Sequence, residues 1–262
     1  MNYERIVLER GPRGTATLTL NRPDRGNAYD DVMLRELMIA LAELDNDDAV
    51  RVVLLRGAGK HFCVGADIAW HRANQNDPAA RENGPKLIDM LLALDRLSKP
   101  TIAVLHGAAV GGGLAVPLCC DVAFATSDAL FSIPEVRIGL MPGPLVPLFL
   151  RAMSYRNFRR YGLSGERFSA VEAKAMGLVH DTALAEAIEK MVSQQVEEFL
   201  LSAPGAIAGL KALAADLAPP PITPALLEHL EEAGRGMLET EEAKEGVASF
   251  LEKRKPRWYP SS

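Results

Sequence analysis

Basic residues are in the minority: 29 lysines and arginines stand against 34 aspartates and glutamates, a formal charge of -5. Without a basic excess there is no bulk attraction to nucleic acid, and a polyanionic partner must be met by a few local cations. That favours a small phosphorylated ligand over DNA or RNA. Cysteine is scarcer still. Cys63, Cys119 and Cys120 cannot build a disulfide framework, and the adjacent pair is poorly placed to bridge itself, which points to a reducing compartment. No His-x-x-x-His or Cys-x-x-Cys spacing occurs, so no metal site is expected. Long apolar runs are missing too: none reaches about 18 residues, and the opening Met1-Asn2-Tyr3-Glu4-Arg5 lacks the apolar core of a signal peptide. The resulting expectation is a soluble, cytoplasmic protein with no membrane and no nucleic-acid partner.

What the chain has is apolar material for one substantial core. Of its 262 residues 48% are hydrophobic and 24% charged, which excludes extended disorder. Periodicity predicts strands at 6–8, 15–20 and 50–55 with a helix at 31–44, a β-β-α-β opening. The plan repeats as a helix at 86–97, a strand at 101–105, a glycine turn, a short helix ending at Cys120 and a strand at 122–125. Parallel strands joined by crossover helices are the natural packing, so the fold class is α/β. Beyond that the strand signal fades, and helices are expected around Arg156 and at 170–176, 185–202, 226–237 and 241–253. Pro219, Pro220, Pro221 and Pro224 forbid helix and predict an extended linker, with the last helices set apart from the core. The chain divides on this reading into a core at 1–200 and a helical C-terminal region at 201–262.

Two glycine segments each follow a strand and precede a helix. In His61-Phe62-Cys63-Val64-Gly65-Ala66-Asp67-Ile68, Asp67 can cap a helix and the small Gly65-Ala66 pair lets a ligand approach the backbone. A tight strand-to-helix turn explains the same residues locally. In Gly107-Ala108-Ala109-Val110-Gly111-Gly112-Gly113-Leu114-Ala115, three consecutive glycines weaken a helix start by roughly 1 kcal/mol each relative to alanine. Something should compensate. Amides at a helix N-terminus carry partial positive charge and hold an anionic oxygen without a cationic side chain. Neither the lysine-serine ending of a P-loop nor the spacing of a dinucleotide fold is present.

Together the two segments resemble the paired oxyanion-hole segments of the crotonase (enoyl-CoA hydratase/isomerase) superfamily. Asn21-Arg22-Pro23 with Asn27-Ala28 is similar to that family's opening. Phe131, Pro134, Glu135, Gly139, Pro142 and Gly143 resemble its catalytic segment, and Phe250, Lys253, Arg254 and Pro256 its C-terminal signature. The resemblance implies a crotonase-like ββα superhelix core with a helical C-terminal region that forms a homotrimer or a dimer of trimers. It also implies an acyl-CoA substrate, coenzyme A entering as part of that substrate with no separate cofactor. Carried over position by position, the amides of Ala66 and Gly112 form an oxyanion hole, each donor worth about 3 kcal/mol. Backbone from Val64 through Gly65, Ala66 and Asp67 to Ile68 lines the adenine and pantetheine channel, and Arg25 and Ala28 lie near the CoA head group. Lys253 or Arg254 reaches CoA phosphates, on a neighbouring subunit in one arrangement; a solvated helix face is the alternative for both.

Glu135 is the residue expected to transfer protons, its apolar setting in Ile133-Pro134-Glu135-Val136 tending to raise a carboxyl pKa. The best-known hydratases of the family carry a second glutamate where this chain has Ala115. Two carboxylates can hold and activate a water, whereas one most simply moves a proton between carbons of one substrate. That favours Δ3-Δ2 isomerisation. Against it, the run from Glu135 to Leu140 with Arg159-Arg160-Tyr161 and Glu166-Arg167-Phe168 resembles a hydratase branch for branched or carboxylated enoyl-CoAs that lacks the same glutamate. Hydration of a branched or unusual enoyl-CoA is therefore the first expectation and isomerisation the second; a non-catalytic CoA- or RNA-binding relative comes third. Gly143-Pro144-Leu145-Val146-Pro147 lacks the family's glycine-threonine-glutamine run, which implies a reshaped acyl pocket. His71 either faces that pocket or faces solvent. His61, His106 and Cys63 are assigned to packing.

Overall fold

Period-two burial in Thr15–Leu20, where Ala16, Leu18 and Leu20 point inward, sets the architecture. In the computed structural model, which describes residues 3–70, 85–219 and 221–260, this strand (β2) pairs antiparallel with β1 (Ile6–Arg10) and parallel with β3 (Val52–Gly57). A parallel series then adds β4 (Thr101–Leu105), β6 (Val122–Thr126) and β9 (Asp181–Ala183), giving a six-stranded sheet in the order β1-β2-β3-β4-β6-β9. Between them in sequence, β5 (Ala108–Val110), β7 (Leu130–Ser132) and β8 (Phe168–Ser169) form a separate three-stranded sheet.

Helix α1 (Asp31–Asp45) starts where the Asp30 carboxylate accepts from the Met33 amide at 2.9 Å, and it buries Met33, Leu37, Ala40, Leu41 and Leu44 on one face. Helix α2 (Leu87–Asp95) buries Ile88, Met90, Leu91 and Leu94 in the same core. Next come α3 (Gly112–Leu118), α4 (Val146–Ala152), α5 (Tyr155–Ser164), α6 (Ala170–Met176) and α7 (Ile188–Leu201). Alternation along the parallel strands divides the interior in two. Val53, Leu55, Ala103, Leu105, Ala123 and Ala125 face the large core with α1 and α2. Val52, Ile102, Val104, Val122 and Phe124 face the other way, where Ile188 and Val192 of α7 cover them. Helices on both faces of a mainly parallel sheet are the expected α/β arrangement.

The chain closes with α8 (Pro204–Leu217), α9 (Pro224–Leu238) and α10 (Glu241–Leu251). These helices do not stand apart from the core, as the proline run had suggested. Ile222 and Leu227 pack against the main core, and the backbone of α10 lies so close to the turn 135–139 that a β-carbon on Gly246 would collide with Ile138. Helix α8 differs: it buries none of its residues, and Leu210, Leu213 and Leu217 are exposed. Elements absent from the sequence expectation are the short strands β5, β7, β8 and β9 and the helices α4 and α8. Strands of two or three residues carry too little alternation to register, and α4 and α8 contain proline or glycine that weakens a helical pattern. Among the described residues no single helix is long and apolar enough to cross a membrane.

Candidate active site

Asn27 organises one wall. Fully buried and held at φ 58°, it donates from Nδ2 to the carbonyls of Ala58, His61 and Phe62 at 2.9, 2.8 and 3.1 Å, while its Oδ1 accepts from the Arg22 amide at 2.8 Å. A short polar side chain tolerates this left-handed conformation better than most. Arg22 extends the network, donating to the Ala28 carbonyl at 2.6 Å and to the Asp67 carboxylate at 2.9 Å, with Asp30 at 3.3 Å. Asp67 in turn accepts from the Trp70 amide at 3.1 Å and caps the helix that begins at Ile68. Burial alone would push the Asp67 carboxyl up; the Trp70 amide and Arg22 outweigh it and hold the group below its ordinary value.

The first glycine segment is threaded between two others. Val64 donates to the Gly26 carbonyl at 3.0 Å, Tyr29 to the Gly65 carbonyl at 3.0 Å, and Asp67 to the Tyr29 carbonyl at 3.0 Å, so Ala66 is bridged to Tyr29. On the other side Cys63 donates to Ala108 at 3.2 Å and Val110 to Cys63 at 3.0 Å. This pairing brings the second glycine segment alongside the first. A β-carbon on Gly65 would lie 2.9 Å from the Val110 carbonyl oxygen and 3.6 Å from the Gly112 nitrogen, and φ at Gly65 is +91°. Only glycine fits there. Among the described residues neither the Ala66 amide nor the Gly112 amide donates to a backbone carbonyl.

Glu135 arrives from a neighbouring strand. β5 and β7 run parallel with Val110 opposite Ser132, and the Gly111 amide donates to the Ser132 carbonyl at 2.9 Å. Gly111 and Glu135 therefore emerge at the same end of the small sheet, and a β-carbon on Gly111 would lie 2.5 Å from Glu135 Oε1. Glu135 Oε2 is buried with no hydrogen-bond partner among the described residues. Burial pushes its carboxyl up to about 7, and a backbone amide only partly offsets that. A half-ionised carboxyl beside two unspent amides can both accept and return a proton at neutral pH while an adjacent oxygen gains charge.

The structure thus brings Glu135, Ala66, Gly112, Val64, Gly65, Asp67 and Ala28 together. Ile68 starts the adjoining helix, and Ala28 is buried. Arg25 sits exposed in the turn Pro23–Arg25, within 3.8 Å of Asp24. Lys253 follows α10 at the surface with φ 54°, and Arg254 is tied to Glu245 and Glu252 at 2.6 Å each. His71 lies outside the described residues. Ala115 is fully buried in the core. Cys63, fully buried, donates from Sγ to the Asn27 carbonyl at 3.1 Å, and burial pushes its thiol up to about 12. His61 accepts from the Ala108 amide at 3.2 Å, and His106 Nε2 lies 2.9 Å from the Gly59 carbonyl, both within turns. Sequence reasoning missed Tyr29, whose hydroxyl lies where a β-carbon on Gly112 would fall. Its signal was its place directly after Asn27-Ala28, legible only once the bridge to Ala66 is known.

Known proteins share this plan. The family model described as enoyl-CoA hydratase/isomerase matches residues 10–260. Crotonyl-CoA hydratase of Syntrophomonas wolfei is 32% identical over 97% of this chain and 98% of its own. The peroxisomal Delta(3,5)-Delta(2,4)-dienoyl-CoA isomerase of Arabidopsis thaliana is 31% identical, over 92% and 91% of the two chains. The crystal structure of an enoyl-CoA hydratase from Mycobacterium avium superposes with a TM-score of 0.81 at 31% identity, covering 97% of this chain and 98% of that one.

Proposed function

The chain belongs to the enoyl-CoA hydratase/isomerase family, the crotonase superfamily, and from that premise we propose that it hydrates a conjugated 2-enoyl-CoA with a branched acyl group. The observation that carries this reading is the Glu135 carboxyl, its Oε2 buried and unpaired, set over Gly111 beside the free amides of Ala66 and Gly112. In the proposed cycle the thioester oxygen accepts from those two amides. Water adds to Cβ as the Glu135 carboxylate takes its proton, and the electron pair of the double bond moves onto the thioester oxygen as an enolate. Glu135, now protonated, returns that proton to Cα as the enolate collapses. One carboxyl thus serves as base and then acid, which a pKa near 7 allows.

Backbone from Val64 to Ile68 flanks the acyl-CoA in this reading, with Arg25 toward the head group and Lys253 offered to a neighbouring copy. The exposed leucines of α8 support assembly through residues 201–262 into a trimer or a dimer of trimers, and a monomer in light scattering would remove that part. Three free cysteines suit a cytoplasmic setting. Pro144 and the buried Leu145, in the segment that lacks the family's glycine-threonine-glutamine run, support an apolar wall for a branched acyl group.

The second reading, Δ3-Δ2 enoyl-CoA isomerisation by Glu135 alone, is favoured by the fully buried methyl of Ala115. Incubation with 2-enoyl- and 3-enoyl-CoAs, branched ones included, separates the two. Hydration is expected to add one water to a 2-enoyl-CoA and consume its conjugated absorbance. A product of unchanged mass, formed from a 3-enoyl-CoA with new conjugated absorbance, would replace the hydratase reading with the isomerase one.

A further inference from the structure

Tyr29 is a large aromatic residue only 5% exposed, yet its hydroxyl makes no hydrogen bond among the described residues. Phenylalanine would fill the same space without a polar group to satisfy. The hydroxyl is also not placed at random. It occupies the position where a β-carbon on Gly112 would fall, next to one of the two free amides. The other free amide, on Ala66, belongs to the residue bridged to Tyr29 itself, through bonds from Tyr29 to Gly65 and from Asp67 to Tyr29, both 3.0 Å. The Tyr29 backbone is thereby tied to the Ala66 segment, while its hydroxyl reaches Gly112.

Resting on the acyl-CoA reading above, we propose that Tyr29 is a third catalytic donor of this site, its phenol O–H hydrogen-bonding to the thioester oxygen as that oxygen gains charge. The donor must stay protonated throughout. Burial, with Cys63 and the Glu135 carboxyl nearby, holds its pKa well above the ordinary value for tyrosine. A third donor also bears on the loss of a carboxylate at Ala115: deeper stabilisation of the enolate lets the single Glu135 complete both proton transfers.

The test uses Tyr29→Phe and a saturated acyl-CoA carrying a 13C-labelled thioester carbonyl, which binds without reacting. Isotope-edited infrared difference spectra are expected to show a downshifted carbonyl stretch on the wild type and a smaller downshift on Tyr29→Phe. With the productive enoyl-CoA, kcat should fall roughly 100-fold in the variant, the scale for losing one preorganised donor, while KM stays within about threefold. Incorporating 3-fluorotyrosine at position 29, which preserves ring and fold while strengthening the donor, should deepen the downshift. An unchanged carbonyl stretch in both substituted proteins, with kcat unaltered in Tyr29→Phe, would reduce Tyr29 to a packing residue. Absence of any downshift in the wild type would instead remove the acyl-CoA reading on which the inference rests.

Discussion

The two walls of this site are built on opposite principles. On the side formed by Asn27, Arg22 and Asp67, buried polar groups are matched: three carbonyls meet one amide group, and a guanidinium meets a carbonyl and two carboxylates. On the other side Glu135 is half-buried, with its Oε2 buried and unmatched. Matched groups hold geometry, because each displacement would break a hydrogen bond in a low-dielectric setting. An unmatched carboxyl is costly to ionise, and that cost is what moves its pKa to where a proton can be taken and returned. The contrast assigns position to one wall and reactivity to the other.

The largest expected effect tests the reactive wall. Glu135→Gln keeps size and polarity but removes the exchangeable proton, so kcat should fall by about 10²–10⁴-fold, the range for general acid–base catalysis, with acyl-CoA binding retained. Turnover near wild type would mean that the orphaned oxygen is an accident of packing. Next in size is the geometric wall. Asn27→Ala strands three carbonyls, one buried and two partly so, and puts alanine at φ 58°, so denaturant unfolding should report a loss of about 3 kcal/mol. A loss under about 1 kcal/mol would show that this wall does not depend on its hydrogen bonds.

How much of this contrast could be read beforehand depended on the range of the interaction. Alternation and helical spacing are local, so the sequence marks a strand at 101–105 and a helix at 31–44, and the structure has Thr101–Leu105 and Asp31–Asp45. The glycine segments and Glu135 were legible from a family resemblance that spans the chain. The Arg22–Asp67 pair joins residues far apart in sequence, and Tyr29 meets Gly112 only through the Ala66 bridge. Neither leaves a periodic trace. β5 and β7, which put Gly111 next to Glu135, are three residues each, too short for any alternation to mark them.

Stability against pH sharpens the comparison, because the two walls should respond with opposite sign. Glu135 has a folded pKa of about 7, above its unfolded value of 4.5. Between those values the folded protein keeps a proton that the unfolded chain has lost, so stability falls as pH rises from about 4.5 to 7 and then levels off. Glu135→Gln removes that penalty. The variant should match wild type near pH 4.5 and exceed it above pH 7, by about 3 kcal/mol, in melts or denaturant titrations at each pH. Equal stability at both ends would contradict a desolvated carboxyl.

Asp67 gives the smaller and opposite effect. Its folded pKa lies below the ordinary value because the Trp70 amide and Arg22 together exceed the effect of burial. The stabilisation it contributes is therefore fully present above the unfolded pKa and is lost as pH falls through the folded one. Asp67→Asn retains one oxygen, Oδ1, to accept from Trp70, but sets an NH2 group where Oδ2 accepts from Arg22 and loses the charge that strengthens both bonds. The expected cost is about 1 kcal/mol at pH 7, shrinking toward zero in strongly acidic solution. A cost that grows as pH falls would reverse the sign assigned here and erase the distinction between the two carboxylates. A cost constant with pH would mean that Asp67 acts through shape alone, leaving Arg22 to hold the segment through Ala28 and Asp30.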